Sequence, residues 1–522
     1  MKKPVIIHPI LFAVYPILFL YSQNSAAIPV QGVIYPVGLS LFLSSLLWIL
    51  LTGIIKNRLK AGLILSLFLF FFFSFGYFVQ ITTMPFYRLF RTVIGPKTVL
   101  FLIWGLLLLM AVFLILRTTR SLSLLNTFFN ITPAILIIFI LCDLGLQKIK
   151  RGFYPQNTER ISPSYQPERN WKDKKRFPDI YYIILDGYAR SDVLREIYQV
   201  DNKVFMDYLK QKGFFVAEKS CSNYGQTLLS LASTMNYKYL DEQDGINSRT
   251  NDSYPLVKMI EQSRLIRVIK RFGYRSVGLV PGVNELELIH FDITILNRFE
   301  LGEFNNALLE TTPISMVLNK YTKLYNPFQN HRKRVLYSFD HMDKISETID
   351  GPVFIYAHIL IPHPPFVFGP NGEEVPNSRT FSQSLWDGNY FIEAGGSREE
   401  YVKKYRDQIL YTTKKIQETL DRIIRKAAKP TVIILQADHG PGSMLDLKNP
   451  EKTNFKERFA ILNAYYFSDR PAGRFLYDSI SPVNSFRVLL NVYFKAGFKL
   501  LNDKSFFSTW KEPYRFIPVR IP

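Results

Sequence analysis

The sequence has only two cysteines, Cys142 and Cys221, in 522 residues. One lies in an apolar run and the other in a polar region, so no disulfide framework is available and the fold must be stable on packing alone. Zinc-finger spacing, nucleic-acid-binding signatures, a glycine-rich nucleotide loop and internal repeats are also missing. With no signature for reading nucleic acid, the formal net charge of +21 points to other anionic partners. A membrane lipid or a lipid-linked, phosphate-bearing envelope substrate fits that charge; a solvated basic surface is the bland alternative. No nucleic acid is expected. Charge is scarce in the first 147 residues, where the hydrophobic and aromatic residues crowd.

Five stretches in that region approach the roughly 20 residues that cross a bilayer as helix. They run over residues 5–22, 34–55, 61–80, 98–116 and 124–147. The first follows Met1-Lys2-Lys3 but lacks a small-residue cleavage site and is followed directly by further spans, so it reads as a retained helix. Lys2 and Lys3, then Lys56, Arg58 and Lys60, then Arg117 and Arg120 fall at alternate ends of the spans. That pattern predicts a cytoplasmic N-terminus and places everything after residue 147 outside the cytoplasm. Arg88, Arg91, Lys148, Lys150 and Arg151 run against it. Ionisable residues inside spans mark transport pathways; here only His8 and Asp143 qualify, both near span ends. The helices therefore read as an anchor. Met84 to Ile94, with Phe86, Tyr87, Phe90, Arg88 and Arg91, reads as an interfacial amphipathic helix.

Residues 148–177 are charged and hold Pro155, Pro163 and Pro167, which predicts a linker. From Pro178 to the end, apolar runs alternate with helical periodicity. Strands are predicted at 180–185, 276–280, 352–357, 431–436 and 459–467. Helices are predicted at 202–212, 255–272 and 398–427, with Gly213 and Gly273 at C-terminal caps. This alternation predicts an α/β domain with a central, mostly parallel sheet, behind an all-helical membrane domain.

Ligands in such sheets bind at the carboxyl ends of strands. The first strand ends in Asp186-Gly187. The strand at 431 leads into Asp438-His439-Gly440. The strand at 352 leads to His358 and to Ile361-Pro362-His363-Pro364-Pro365. Each residue alone fits a turn or a cap; together they form a donor set for a divalent metal such as Mn, Zn or Mg. A polar loop from Ser220 to Gln226 runs into a helix that starts at Thr227. Thr227 is either a capping threonine or a nucleophile activated beside the metal and a helix N-terminus.

These motifs, DIYYIILDGYARSD, the loop-to-helix Thr227, IPHPPF and ADHG, stand in the order of the alkaline-phosphatase superfamily. The chain resembles its sulfatase-like branch. Spans followed by an external domain resemble the membrane-anchored lipoteichoic acid synthases and lipid A phosphoethanolamine transferases. The resemblance implies that Asp186, Asp438 and His439 bind metal, with Thr227 as nucleophile and further ligand. It implies that His363 and His358 contact the transferred or leaving group. The implied reaction is double displacement through a covalent phospho-threonine, in a multi-pass protein of a bacterial-type cytoplasmic membrane.

Two departures narrow it. Formylglycine sulfatases carry a C/S-x-P/A-x-R motif, whereas the sequence at Cys221 is Cys-Ser-Asn-Tyr-Gly-Gln. No histidine follows His439, so the extra downstream histidine of phosphoethanolamine transferases is missing. His290, Asp292, Asp340 and His341 are the remaining residues that a second metal would draw on. The expected function is phosphotransfer or phosphodiester cleavage on an envelope lipid or glycan. The alternatives are sulfuric ester hydrolysis without formylglycine and a non-catalytic envelope binding protein that retains the fold.

Overall fold

The computed structural model describes residues 4–26, 28, 30–89, 96–152, 177–241, 246, 251–279, 281–282, 291–295, 303–321, 326–377, 379–469 and 472–521. Most of the predicted linker and His290 lie outside the described residues. The side chains of the predicted interfacial segment 84–94 do too.

By its internal contacts the chain forms two compact units. The first joins Met1–Phe153 to Leu301–Pro327, and the second joins Tyr154–Glu300 to Phe328–Pro522.

In the first unit, α1 (His8–Asn24), α2 (Gln31–Ile55), α3 (Arg58–Leu89), α4 (Pro96–Arg117) and α5 (Ser123–Gly152) follow the five apolar stretches. Four helical segments are long and apolar enough to cross a membrane among the described residues: Gln31–Ile55, Arg58–Val79, Thr98–Arg117 and Ser123–Arg151. The remaining expected span, α1, is a helix of 17 residues. At 1.5 Å per residue it is about 26 Å long, slightly less than a bilayer's hydrocarbon core. The few polar residues here satisfy backbone. Asn130 Oδ1 accepts from the amides of Ile7 and His8 at 3.1 and 3.0 Å, meeting donors that the first turn of α1 leaves open. Asn126 and Asn130 both donate to Val5 O.

Sequence reading missed the segment 301–327. Its helix Glu303–Glu310 lays Phe304 into a cluster with Ile17, Ile28 and Val33. Thr311 O accepts from the Gly76 amide at 2.8 Å. A Cβ on Gly76 would stand 2.0 Å from Glu310 O, so only glycine allows this approach. Eight-residue helices are too short to register as membrane elements by hydropathy.

In the second unit, seven strands form one sheet: β1 (Asp179–Leu185), β2 (Phe215–Val216), β3 (Arg275–Leu279), β4 (Ile293–Ile295), β5 (Val353–Ile359), β6 (Thr431–Gln436) and β7 (Asn463–Phe467). Their order is β2-β7-β6-β1-β5-β3-β4. The five strands from β6 to β4 run parallel, and β7 runs antiparallel to β6. The sheet is thus mostly parallel, as the alternation of elements implies. Every residue of β1, β5 and β6 is buried. Tyr181, Ile183 and Leu185 enter one core, while Ile180, Tyr182 and Ile184 enter the core on the opposite face. Burial on both faces explains why these strands read as unbroken apolar runs. A small second sheet pairs β8 (Ser505–Phe507) with β9 (Ile517–Val519).

Two element boundaries differ from the sequence expectation. The stretch 255–272 is two helices, Tyr254–Glu261 and Arg264–Arg271, because Ser263 accepts from the Ile266 amide and starts a new helix. The strand expected from 459 begins at Asn463, after a helical turn over Phe455–Phe459 that Asn454 caps.

Candidate active site

Register puts the chemistry at one edge. Ile184 of β1 pairs with His358 of β5 on one side and with Gln436 of β6 on the other. The strands therefore end level: Asp186 follows β1, His358 is the penultimate residue of β5 with His363 in the loop after it, and Asp438 and His439 follow β6. The Asp186 amide donates to Ile359 O, and the His363 amide donates back to Asp186 O at 3.0 Å, which stitches the loops after β1 and β5 together. Gly187 turns the first loop with φ at +76°. Gly440 fits for a different reason: a Cβ there would lie 2.1 Å from Glu457 O.

Thr227 enters from the helix α8 (Thr227–Asn236), following α6 (Ser191–Tyr198) and α7 (Lys203–Gln211) in the chain. The cap residue of α8 is Gln226, and no side chain caps the helix. The Thr227 hydroxyl instead lies 2.9 Å from His439 Nε2, so a plain capping role does not account for it. Ser230, one turn on, donates to Asp438 O at 2.7 Å and fixes the helix to the β6 loop.

Four polar atoms converge. His439 Nε2 lies 3.3 Å from Asp438 Oδ2 and 3.7 Å from Asp186 Oδ1, with Thr227 Oγ1 beside it. His439 Nδ1 is 2.9 Å from Gly440 O. Donation there leaves the Nε2 lone pair facing the carboxylates. Asp186 Oδ1 and Asp438 Oδ2 are both buried without a hydrogen-bond donor. Burying two carboxylate oxygens unsatisfied is costly, and a divalent cation between them would satisfy both. Asp186, His363 and His439 bring ligand atoms within 4.8 Å of one another, as do Asp186, His358 and Asp438. The donor set of carboxylate, imidazole and hydroxyl suits Zn or Mn, and Mg less closely.

The electrostatics agree with this fit. Burial pushes the Asp186 carboxyl up, but the field of His363 and the hydrogen bond from His358 outweigh it and hold it below its ordinary range. Burial, followed by the charge of Arg458, holds His439 below the usual imidazole value against the pull of Asp438 and Asp186. An ionised carboxylate and a neutral imidazole are the protonation states that ligation requires.

The two remaining histidines sit differently. His358 is fully enclosed, and its Nε2 bonds Asp186 Oδ2 at 3.0 Å. His363 is partly open; its Nδ1 lies 2.6 Å from Pro364 O and its Nε2 lies 3.7 Å from Asp387 Oδ2. Asp292, Asp340 and His341 lie apart from this cluster with local partners of their own: Ser276, Lys415 and Tyr337.

Sequence reading missed the frame around the site. Arg458 donates to Gly225 O at 2.7 Å, to Gly440 O at 2.9 Å and to Asp387 Oδ2 at 2.5 Å. One buried guanidinium thus ties the loop before Thr227 to the loop after His439. Tyr401 donates to Asp387 Oδ1 at 2.7 Å. Burial would raise the Asp387 carboxyl; the charges of Arg458 and His363 and the Tyr401 hydroxyl lower it instead. Gln408 accepts from the amides of Val367 and Phe368 and donates to Pro362 O and His363 O, which holds the His363 loop. Gln408 was detectable as a polar residue within the apolar stripe of the helix Arg398–Lys426. Arg458 and Asp387 carried no local signal.

The sulfatase family model matches residues 178–462, more than half of the chain. The chain belongs to the sulfatase family. Within the alkaline-phosphatase superfamily, that is the membership its motifs imply. No curated protein matches it in sequence. Several solved structures are similar at low identity. The integral membrane lipooligosaccharide phosphoethanolamine transferase A of Neisseria meningitidis is 12% identical, over 93% of this chain and 95% of that one, with a TM-score of 0.39. The C-terminal periplasmic domain of Escherichia coli EptC, in complex with Zn, is 13% identical over 66% and 94%, with a TM-score of 0.42. The phosphonate monoester hydrolase of Agrobacterium radiobacter is 13% identical over 63% and 80%, with a TM-score of 0.41.

Proposed function

We propose that this sulfatase-family protein is a membrane-anchored, metal-dependent phosphotransferase or phosphodiesterase with Thr227 as nucleophile. The observation that carries the reading is the meeting of the Thr227 hydroxyl with His439 Nε2 beside two donor-less buried carboxylate oxygens. Asp186, Asp438, His439 and Thr227 would hold the metal, which would lower the pKa of a hydroxyl and offset charge on a phosphoryl group. The Thr227 oxygen, its proton released to water, attacks phosphorus; the P–O bond to the leaving group breaks, that oxygen departs with a proton, and a phospho-threonine forms that keeps the second ester substituent of a diester. Water or an acceptor hydroxyl then attacks that phosphorus and frees Thr227. The N-terminus of α8 faces the anionic group. His363, partly open to solvent, contacts the transferred or leaving group. His358 orients Asp186 from behind, as outer-shell partners of metal ligands do.

Residues 1–147 serve as the anchor, 148–177 as the linker and 178–522, apart from the segment 301–327 that groups with the anchor, as the catalytic domain. That domain lies outside the cytoplasm and acts on a lipid-linked envelope substrate. The absence of a formylglycine motif at Cys221 favours phosphoryl over sulfuryl transfer.

The test is hydrolysis of bis-nitrophenyl phosphate and nitrophenyl sulfate by the full chain in detergent. We expect phosphodiester cleavage that EDTA abolishes and that Zn or Mn restores, with Asp438→Ala inactive even at saturating metal. Cleavage of the sulfate ester alone, or cleavage insensitive to chelation, would overturn the reading.

A further inference from the structure

Large apolar side chains exposed on a soluble domain tend to mark a binding surface when they cluster. Two of the protein's tryptophans do so on the catalytic domain. Trp386 is 43% exposed and Trp510 is 60% exposed. Tyr390 stands between them, with its ring centroid 6.3 Å from Trp386 and 6.2 Å from Trp510. Each tryptophan is inclined to it by 67° and 63° respectively. The three rings therefore form an angled cradle.

Both ends of the cradle are anchored in the active-site frame. Trp386 directly precedes Asp387, whose carboxylate faces His363 Nε2 and holds Arg458. Trp510 follows Ser508 and Thr509, whose carbonyls accept from the side chain of Gln226, the residue before Thr227. The Trp510 amide donates to Leu447 O, and the Leu447 amide donates to Asn389 Oδ1, so the two tryptophan segments are also tied to each other. One wall of the cradle is thus built from the His363 side of the site and the other from the Thr227 side.

The composition of the cradle selects its occupant. Lys448 lies over the Tyr390 ring at 5.1 Å and pairs with Glu393, which also accepts from Asn389. Apolar ring faces interleaved with charged and amide groups match a pyranose ring, which has one apolar C–H face and a rim of hydroxyls. An acyl chain would call for an unbroken apolar groove. Tryptophan and tyrosine supply large, rigid contact area at low entropic cost.

The geometry points to a saccharide subsite formed by Trp386, Tyr390 and Trp510 on the segments that frame the metal site. It binds a sugar ring of the substrate, so the group transferred at Thr227 comes from or goes to a glycan. This assignment rests on the proposed reaction for its purpose, but its test does not require turnover.

The experiment is saturation-transfer NMR on the full chain in detergent micelles. The probes are glucose and N-acetylglucosamine oligosaccharides of two to four units. We expect transfer to the ring protons of at least one series, and binding about tenfold weaker or more in Trp386→Ala/Trp510→Ala. Circular dichroism and metal content match the wild type in that variant, which shows that it is folded. The unaltered signal in Thr227→Ala separates this claim from the catalytic one, since binding survives even if that residue is not the nucleophile. No transfer from any saccharide would overturn the subsite, as would transfer that the double variant leaves intact. Quenching of these two tryptophans by brominated lipid in nanodiscs would also overturn it and assign the cradle to the membrane interface.

Discussion

Thr227→Ala is expected to lower kcat for phosphodiester cleavage on the order of 10⁴-fold or more, the scale seen when a nucleophile is removed from a site whose parts act as a unit. The residual rate would come from the remaining polar groups and bound metal. The fold should survive. Thr227 is only partly buried, Gln226 takes the cap position of α8, and the lost hydroxyl makes one hydrogen bond, to His439. That bond is worth about 1 kcal/mol. Thr227→Ser keeps the oxygen and should retain measurable turnover. Stopped assays of both variants, alongside circular dichroism and metal content, check the prediction. A Thr227→Ala protein as active as the wild type would remove the residue from the mechanism.

Arg458→Met should damage both stability and catalysis. The guanidinium is 4% exposed and satisfies Asp387, Gly225 O and Gly440 O together. Methionine fills similar space but leaves the Asp387 carboxylate buried without its cation. Breaking a buried pair in this way costs about 3–5 kcal/mol. Two loops also lose their shared clamp, one ending at Thr227 and the other beginning at His439. Metal affinity and kcat should therefore fall together. Adding Asp387→Asn removes the stranded charge and should recover part of the stability without the activity. Denaturant unfolding of the single and double variants, with metal titration, separates the two effects. Full activity in a destabilised Arg458→Met protein would show that Arg458 supports the fold alone.

Legibility from sequence followed burial and contact range. Strands β1 and β6 and the helix Arg398–Lys426 were readable because burial on both faces writes an unbroken apolar run and burial along one stripe writes a helical period, both local signals. Asp186, Asp438 and His439 were readable because they directly follow such strands. Their convergence depended only on the sheet being parallel, which the order of elements implies. β2, of two residues, and β4, of three, fell below any periodic signal. The segment 303–321 was illegible because its partners, such as Ile17 and Gly76, lie more than 200 residues away. The same holds for Arg458, whose acceptors Gly225 and Asp387 are 233 and 71 positions distant. His358 could be placed near the site by its strand. Its position behind Asp186 follows from the cross-strand register of β1 and β5, which only the structure supplies.

The measurement that bears most directly on the central claim is peptide mass spectrometry of the metal-loaded full chain, quenched in acid during turnover of a phosphodiester. One added phosphoryl group that still carries the substrate's retained ester substituent is expected on the peptide containing Thr227, and is absent from Thr227→Ala and from the chelated protein. Turnover with the label on another residue, or steady cleavage with Thr227 unmodified under single-turnover trapping, would contradict it.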